Sequence, residues 1–315
     1  MGVSLFSVVA CTEEITIDTP NGKKVPVVEG YLTDEVKRHE IILSYSSELY
    51  SGEREMIPGA EIYVAGGGDT IYYYEQENNP GHYLTDYVAG KKNTRYHLEI
   101  NVVENTWYTL PLRMTAEVKM PNNADRIDSI KLFCKQDQQD VPFVEDTVAV
   151  RICPYFQTLS NPDIVYNVGL YLNGVRFKNR PSSLFQLFQM RGYAGYYFNG
   201  PEMLENNVEV PVGIMNTSYL HEGDTIGLKL QSISKDYMYY LMNQKLAIGV
   251  NPIMGAFPAM FTNIMSNCNA IGWFSATSVI QGEVIYHKWV AFVCYGVNKK
   301  SRPARRLFSF LKSIE

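Results

Sequence analysis

Strand-like runs dominate the chain after residue 24. VPVVEGYLT (25–33), EIILSYS (40–46), AEIYVA (60–65), TIYYYE (70–75), RYHLEINV (95–102) and TWYTLPLRMTAEVKM (106–120) are rich in β-branched and aromatic residues, which suit a pleated, half-buried surface. Gly, Pro, Asn and Asp punctuate them. Gly66-Gly67-Gly68-Asp69 lies between two such runs and reads as a hairpin turn. It is not a phosphate loop, since no Gly-Lys-Ser/Thr follows it and no helix begins there. A second series opens near Pro121-Asn122-Asn123: DSIKLFC (128–134), DTVAVRICPYF (146–156), IVYNVGLYLNGVRF (164–177), NVEVPV (207–212), DTIGLKLQSI (224–233), AIGWFSATSV (270–279) and EVIYHKWVAFVCYGV (283–297). One helical pattern interrupts it. Ser234 suits an N-cap, Asp236 the first turn, and Tyr237, Tyr240, Leu241 and Lys245 follow at helical spacing before Gly249. The expectation is a mainly β protein of two antiparallel β-sandwich domains, 25–120 and 121–297, the second carrying one inserted short helix.

The segments outside those domains concern location. Residues 1–11 end in Val8-Val9-Ala10-Cys11, an apolar run closed by a small residue and a cysteine. This resembles the lipobox of a bacterial lipoprotein signal. The resemblance implies lipidation of Cys11, with acyl chains anchoring the domain at about 0.8 kcal/mol per buried CH₂. Glu13 and Glu14 resemble the acidic signal that sends some Bacteroidetes lipoproteins to the cell surface. Polar residues 12–24, with Pro20 and Asn21-Gly22, read as a tether. No apolar run approaches the roughly 18 residues of a membrane-spanning helix. The chain is 46% hydrophobic and 19% charged, sufficient for a real core. Its formal charge is −5, yet the tail 298–315 holds six basic residues and one acidic one. The body is therefore more acidic than the average, and nucleic acid is not expected as a partner.

Two resemblances add to this reading. Val28-Glu29-Gly30-Tyr31-Leu32-Thr33-Asp34, Pro58 to Val64 and Gly81-His82-Tyr83 follow the order of transthyretin-like or carboxypeptidase-regulatory-like sandwich modules, so the first domain is expected to be transthyretin-like. VVEGYLTD, LYLNG (170–174), EGDTIGLKLQSISKDYMYYL (222–241) and NPI…NIMSNCNAIGWFSATSV (251–279) cover nearly the whole chain. With the lipobox, they are similar to a Bacteroidetes outer-membrane lipoprotein family classed as a domain of unknown function. That resemblance implies an outer-membrane protein facing the cell exterior beside a TonB-dependent β-barrel transporter, capturing cargo for nutrient uptake. It supplies no catalytic residues.

Chemical motifs are sparse. No GxSxG elbow is present, and the five histidines (39, 82, 97, 221, 287) show no HExxH or His-x-His spacing. Neither a metal nor a cofactor is expected, and binding is expected over catalysis. Asp224 reads as a turn acid. Cys134, Cys153, Cys268 and Cys294 permit disulfides, the local pairing being Cys134–Cys153 and Cys268–Cys294, with buried free thiols as the alternative. The stronger hint is 23 tyrosines against 14 phenylalanines. In Tyr72-Tyr73-Tyr74 successive rings must point to opposite faces, so one side of the strand presents tyrosine outward. Tyr is enriched at interfaces. Candidate binding residues are Tyr73, Tyr193, Tyr196, Tyr197 and Phe198, with Met254 and Phe257 in an apolar, Met-rich loop. Their ligand is expected to be a glycan, peptide or metal complex. A fimbrial-type subunit or adhesin is the second reading, and a hydrolase with an unlocated site the third.

Overall fold

The computed structural model describes residues 24–47, 54–123, 126–137, 147–157, 165–177, 186–189, 197–199, 213–216, 220–248 and 261–288. Alternation of apolar and polar residues produces the first seven strands. They are β1 (Pro26–Thr33), β2 (Glu40–Tyr45), β3 (Ala60–Gly66), β4 (Asp69–Gln76), β5 (Asn79–Leu84), β6 (Arg95–Val102) and β7 (Leu112–Lys119). Then come β8 (Ser129–Asp137), β9 (Thr147–Gln157), β10 (Val165–Leu172), β11 (Val175–Arg176), β12 (Gln186–Gln189), β13 (Tyr197–Asn199), β14 (Gly213–Asn216) and β15 (Thr225–Ile233). Helix α1 (Lys235–Ile248) follows, then β16 (Met265–Ser266) and β17 (Ile271–Ile285).

One continuous hydrogen-bonded path runs β11-β10-β15-β17-β1-β2-β5-β4-β3-β6-β7-β16, with β12 also on β10. Its far end folds back over its middle. Val28, Leu43 and Tyr83 from one layer then share a core with Val64, Ile100 and Met114 from the other. In a second, smaller sheet, β8, β13 and β14 all pair with β9. That sheet packs Ile152 and Phe156 against Tyr166, Leu228 and Ile280 of the main path, making a second core.

The protein is mainly β with a single helix among the described residues, as expected, and two features differ in strand extent and pairing direction. The runs 270–279 and 283–297 were expected as separate strands, yet one strand covers 271–285. Gly282 is no turn. It pairs with Leu228, and a Cβ there would meet Ile130 Cδ1 at 3.2 Å, so the missing side chain admits the opposite sheet. Second, β17 does not stay in the second sandwich. Its first half pairs with β1 from Val27↔Ile271 to Thr33↔Thr277, in parallel, and its second half pairs with β15. Phe274 and Ala276 thereby join the first core, as do Ile264 and Cys268 just before β17. The sheet is mixed because a parallel neighbour needs a long connection, and here the whole second sandwich supplies it.

Helix α1 covers the outward face of β17. The Ser234 hydroxyl caps it, accepting the Tyr237 N–H at 3.1 Å. Its Tyr240 and Leu241 pack with Trp273, Val165 and Ile233. The Tyr237, Tyr240 and Trp273 rings are stacked, with centroids 5.0–6.1 Å apart. Among the described residues, no helix is long and apolar enough to cross a membrane.

Candidate functional site

The hairpin between β3 and β4 starts the site. Gly66 and Asp69 are partners across the turn, and Gly67 and Gly68 occupy it with φ of 61° and 84°. Both central residues in the left-handed region make the two-residue turn that suits a twisted hairpin. Gly66 itself must lack a side chain, because a Cβ there would meet Arg95 O at 2.5 Å. The turn sets the phase of β4. Tyr73 points inward and is 3% exposed, whereas Tyr72 and Tyr74 point outward at 55% and 57%. Tyr73, expected at a binding surface, is thus a core residue, and burial pushes its hydroxyl pKa up. The outward partners are its two neighbours, a choice that alternation alone left open.

Opposite β4 stands the segment 85–91. The chain leaves β5 and swings toward β1 and β2, where it is held firmly. Val88 and Lys37 exchange backbone bonds at 3.1 and 3.2 Å, and Gly90 N donates to Thr33 O at 2.8 Å. Thr85 N donates to His39 O at 3.0 Å, and His39 N to Thr85 Oγ1 at 2.9 Å. The buried His39 ring sits with Nε2 3.0 Å from Val88 O. A carbonyl only accepts, so Nε2 carries the proton, and buried Nδ1 has no partner at hydrogen-bond geometry among the described residues. Burial lowers the pKa of this histidine, with Lys37 adding to the effect and the Val88 contact opposing it.

Between this segment and β4 opens a groove of about 450 Å³, lined by Asp69, Tyr72, Tyr74, Asp86, Lys91 and Tyr96 among others. That volume falls within the roughly 300–1,000 Å³ usual for ligand sites. Its one lysine is occupied: Lys91 Nζ donates to Asp69 Oδ2 at 2.5 Å and to Gly67 O at 3.2 Å. The hydrogen bond to Asp69 raises the Lys91 pKa. The Lys91 N–H donates to the Tyr96 hydroxyl at 2.5 Å, anchoring that end. The Asp86 carboxylate and the Tyr72 and Tyr74 hydroxyls make no such contact among the described residues. The aromatic surface continues around β3. Tyr63 lies 6.2 Å from Tyr72, centroid to centroid, and its hydroxyl donates to Glu99 Oε2 at 2.7 Å. Arg113 Nη2 reaches the other Glu99 oxygen at 3.1 Å. The Tyr63 bond is the chief reason that Glu99 titrates below the usual range.

A second cavity, of about 370 Å³, lies beside Val25, Tyr108, Leu110, Pro111 and Cys268. The Tyr108 hydroxyl stands 3.0 Å from Lys24 O and 3.1 Å from Cys268 O, tying this corner shut.

The other expected site residues that the structure describes do not line the groove. Cys11, Tyr193, Tyr196, Met254 and Phe257 lie outside the described residues, as does Cys294. Tyr197 and Phe198 open β13, opposite Gln157 and Phe156 of β9, and nothing further is described of their side chains. The Cys134–Cys153 pairing is out of reach. Cys134 stands opposite Val150 and Cys153 opposite Lys131. The offset of three rungs exceeds the roughly 7 Å limit on Cα separation for a disulfide. Cys268 is a buried free thiol. Asp224 is a turn acid, accepting the His221 N–H at 2.6 Å and the Asn173 amide at 2.9 Å. Among the described residues, no group of three or more His, Cys, Asp or Glu is placed to hold a metal ion. The reading from sequence missed Asp86 and Lys91, since only the path of the chain after β5 brings them opposite β4.

A family profile described as a domain of unknown function, DUF4249, matches residues 12–283. The chain belongs to that family. No curated protein matches it. The DUF4249 match takes in the first core, α1, the groove and all of the second core but Val284 and Tyr286.

Proposed function

We propose that this DUF4249 protein is a lipid-anchored outer-membrane protein, facing the exterior, that captures a ligand for a TonB-dependent β-barrel transporter. The observation that carries the binding part is the groove beside β4. Two outward tyrosines, a carboxylate with no partner among the described residues and a firmly held opposing wall make a preformed recognition surface rather than a closed core. The membrane part is supported by Val8-Val9-Ala10-Cys11 and by the likeness to outer-membrane lipoproteins. Binding is favoured over glycoside hydrolysis because that chemistry needs one carboxyl kept protonated, usually by burial. Both groove aspartates are exposed, and Asp69 is paired with Lys91. A fimbrial subunit would be expected to lack a strand that its neighbour donates. Here β17 of the same chain lies beside β1.

The test is a mild-detergent pull-down from native membranes, with mass spectrometry of the recovered protein. Recovery with a large β-barrel in fixed ratio, and acyl chains on Cys11, is the expected result. Recovery of the protein alone and unacylated overturns the proposal.

A further inference from the structure

The groove is bounded by more than side chains. Strand β4 changes partner partway along: residues Asp69 to Tyr73 pair with β3, and only from Tyr74 does it pair with β5. In an antiparallel ladder, residues alternate between bonding their partner and pointing their N–H and C=O the other way. The two-residue turn fixes which do which. Gly66 and Asp69 bond each other, so Ile71 and Tyr73 also bond β3, while Thr70 and Tyr72 direct their backbone groups outward. Tyr74 continues that outward set, and its partner there is Leu84 of β5. Because 85–91 is held against β1 and β2, nothing described takes the corresponding place beside Thr70 and Tyr72. Neither residue makes a hydrogen bond on that side among the described residues. Among the described residues, the groove thus presents two N–H groups and two C=O groups without a partner, about 7 Å apart along the strand, beside exposed tyrosines.

We infer that this open edge of β4 receives an extended peptide, which adds a strand beside Thr70 and Tyr72. An unpaired strand edge is a template for another chain, and main-chain hydrogen bonds supply affinity in such strand addition. Charge narrows the choice. Lys91 is neutralised by Asp69, so an acidic peptide would meet only the unanswered Asp86. The edge selects a peptide with a Lys or Arg placed to pair with that carboxylate. A sugar could stack on Tyr72 and Tyr74, but it would not match a row of alternating backbone donors and acceptors. The inference rests on reading the protein as a ligand-binding subunit and names its ligand class.

The test uses the purified full chain and a library of blocked synthetic peptides of about six residues, the length of an ordinary strand, in acidic, neutral and basic sets. Neutral oligosaccharides serve as the comparison. Basic peptides should bind, and hydrogen exchange should slow on the order of tenfold or more at the Thr70 and Tyr72 amides. The Ile71 and Tyr73 amides, already bonded to β3, should not change. Thr70→Pro removes one outward N–H at an edge position where proline is tolerated, and should weaken binding by about tenfold. Asp86→Asn should erase the preference for basic peptides. Binding of oligosaccharides alone, binding of no peptide, or peptide binding without protection at Thr70 and Tyr72 overturns the inference. These measurements need no transporter, so they fail or succeed independently of the pull-down.

Discussion

Strands β17 and β4 both change partner midway, and the fold treats them differently. Strand β17 passes from β1 to β15, and side chains bond its backbone along both stretches. Asn263 accepts the Phe274 N–H at 3.0 Å and donates to Phe274 O at 2.7 Å. Asp34 Oδ1 accepts the Val279 N–H at 2.7 Å, and Asn123 donates to Ser278 O at 3.0 Å. Strand β4 passes from β3 to β5, and among the described residues Thr70 and Tyr72 receive no such cover. The outward faces differ in the same way. On β17, Trp273 is stacked under Tyr237 and Tyr240, whereas on β4 Tyr72 and Tyr74 stand in solvent. A buried backbone group without a partner costs about 1–3 kcal/mol, so the covered strand belongs to stability. The exposed strand can be left open because water serves it until a ligand arrives.

The comparison is broken most severely on the covered side. Trp273→Ala removes the ring that α1 packs on and should cost about 3–5 kcal/mol, read from urea unfolding. Asn263→Ala should follow closely. It strips two hydrogen bonds from the fully buried Phe274, at about 1–3 kcal/mol each. If either change proves neutral, the cover on β17 is not what holds the two cores together.

Acid tests the wall of the groove. His39 has a folded pKa below its ordinary 6.5 because it is buried. Between the folded and the unfolded values, the unfolded chain binds more protons than the native one, so stability rises with pH through that window. The contribution is complete above about pH 6.5 and is lost as the pH falls through the depressed folded value. The melting temperature should therefore drop on mild acidification, with exchange of the Val88 and Gly90 amides rising first. His39→Gln should flatten that part of the profile. A profile unchanged by the substitution would show that His39 does not hold 85–91 in place.

How much of this was legible in the chain depended on distance along it. The β2, β3, β4 and β6 runs could be read because alternation is local, and the Gly67-Gly68 turn because glycine pairs have few other uses. Ser234 announced α1 for the same reason. Strand β17 was cut in two at Gly282, since sequence does not distinguish a glycine that turns the chain from one that admits a neighbouring side chain. Its parallel union with β1 joins residues about as far apart as the chain allows, and no local pattern encodes that. The groove failed for a related reason. Alternation showed that one side of Tyr72-Tyr73-Tyr74 must face out, but the side was set by the turn register. Asp86 enters only because His39 and Thr33 pull its segment away from β4. Asn263, within NIMSN, carries no mark of its role in sequence, because a backbone cap is defined by what stands opposite it.

The smallest expected effect sharpens the contrast most. Tyr74→Ala removes a ring that is 57% exposed and makes no hydrogen bond among the described residues. Its cost in stability should stay within about 0.5 kcal/mol, as for surface positions generally. Tyr240→Ala, the corresponding change under α1, removes a buried ring stacked on Trp273 and should cost several times more. Equal costs would mean that Tyr74 packs against something as Tyr240 does, and that the β4 side is merely another part of the core. Unequal costs in the expected order leave Tyr74 with no structural reason to be a large ring at the surface. That is the condition under which a tyrosine beside an unpaired strand edge is best understood as part of a binding surface.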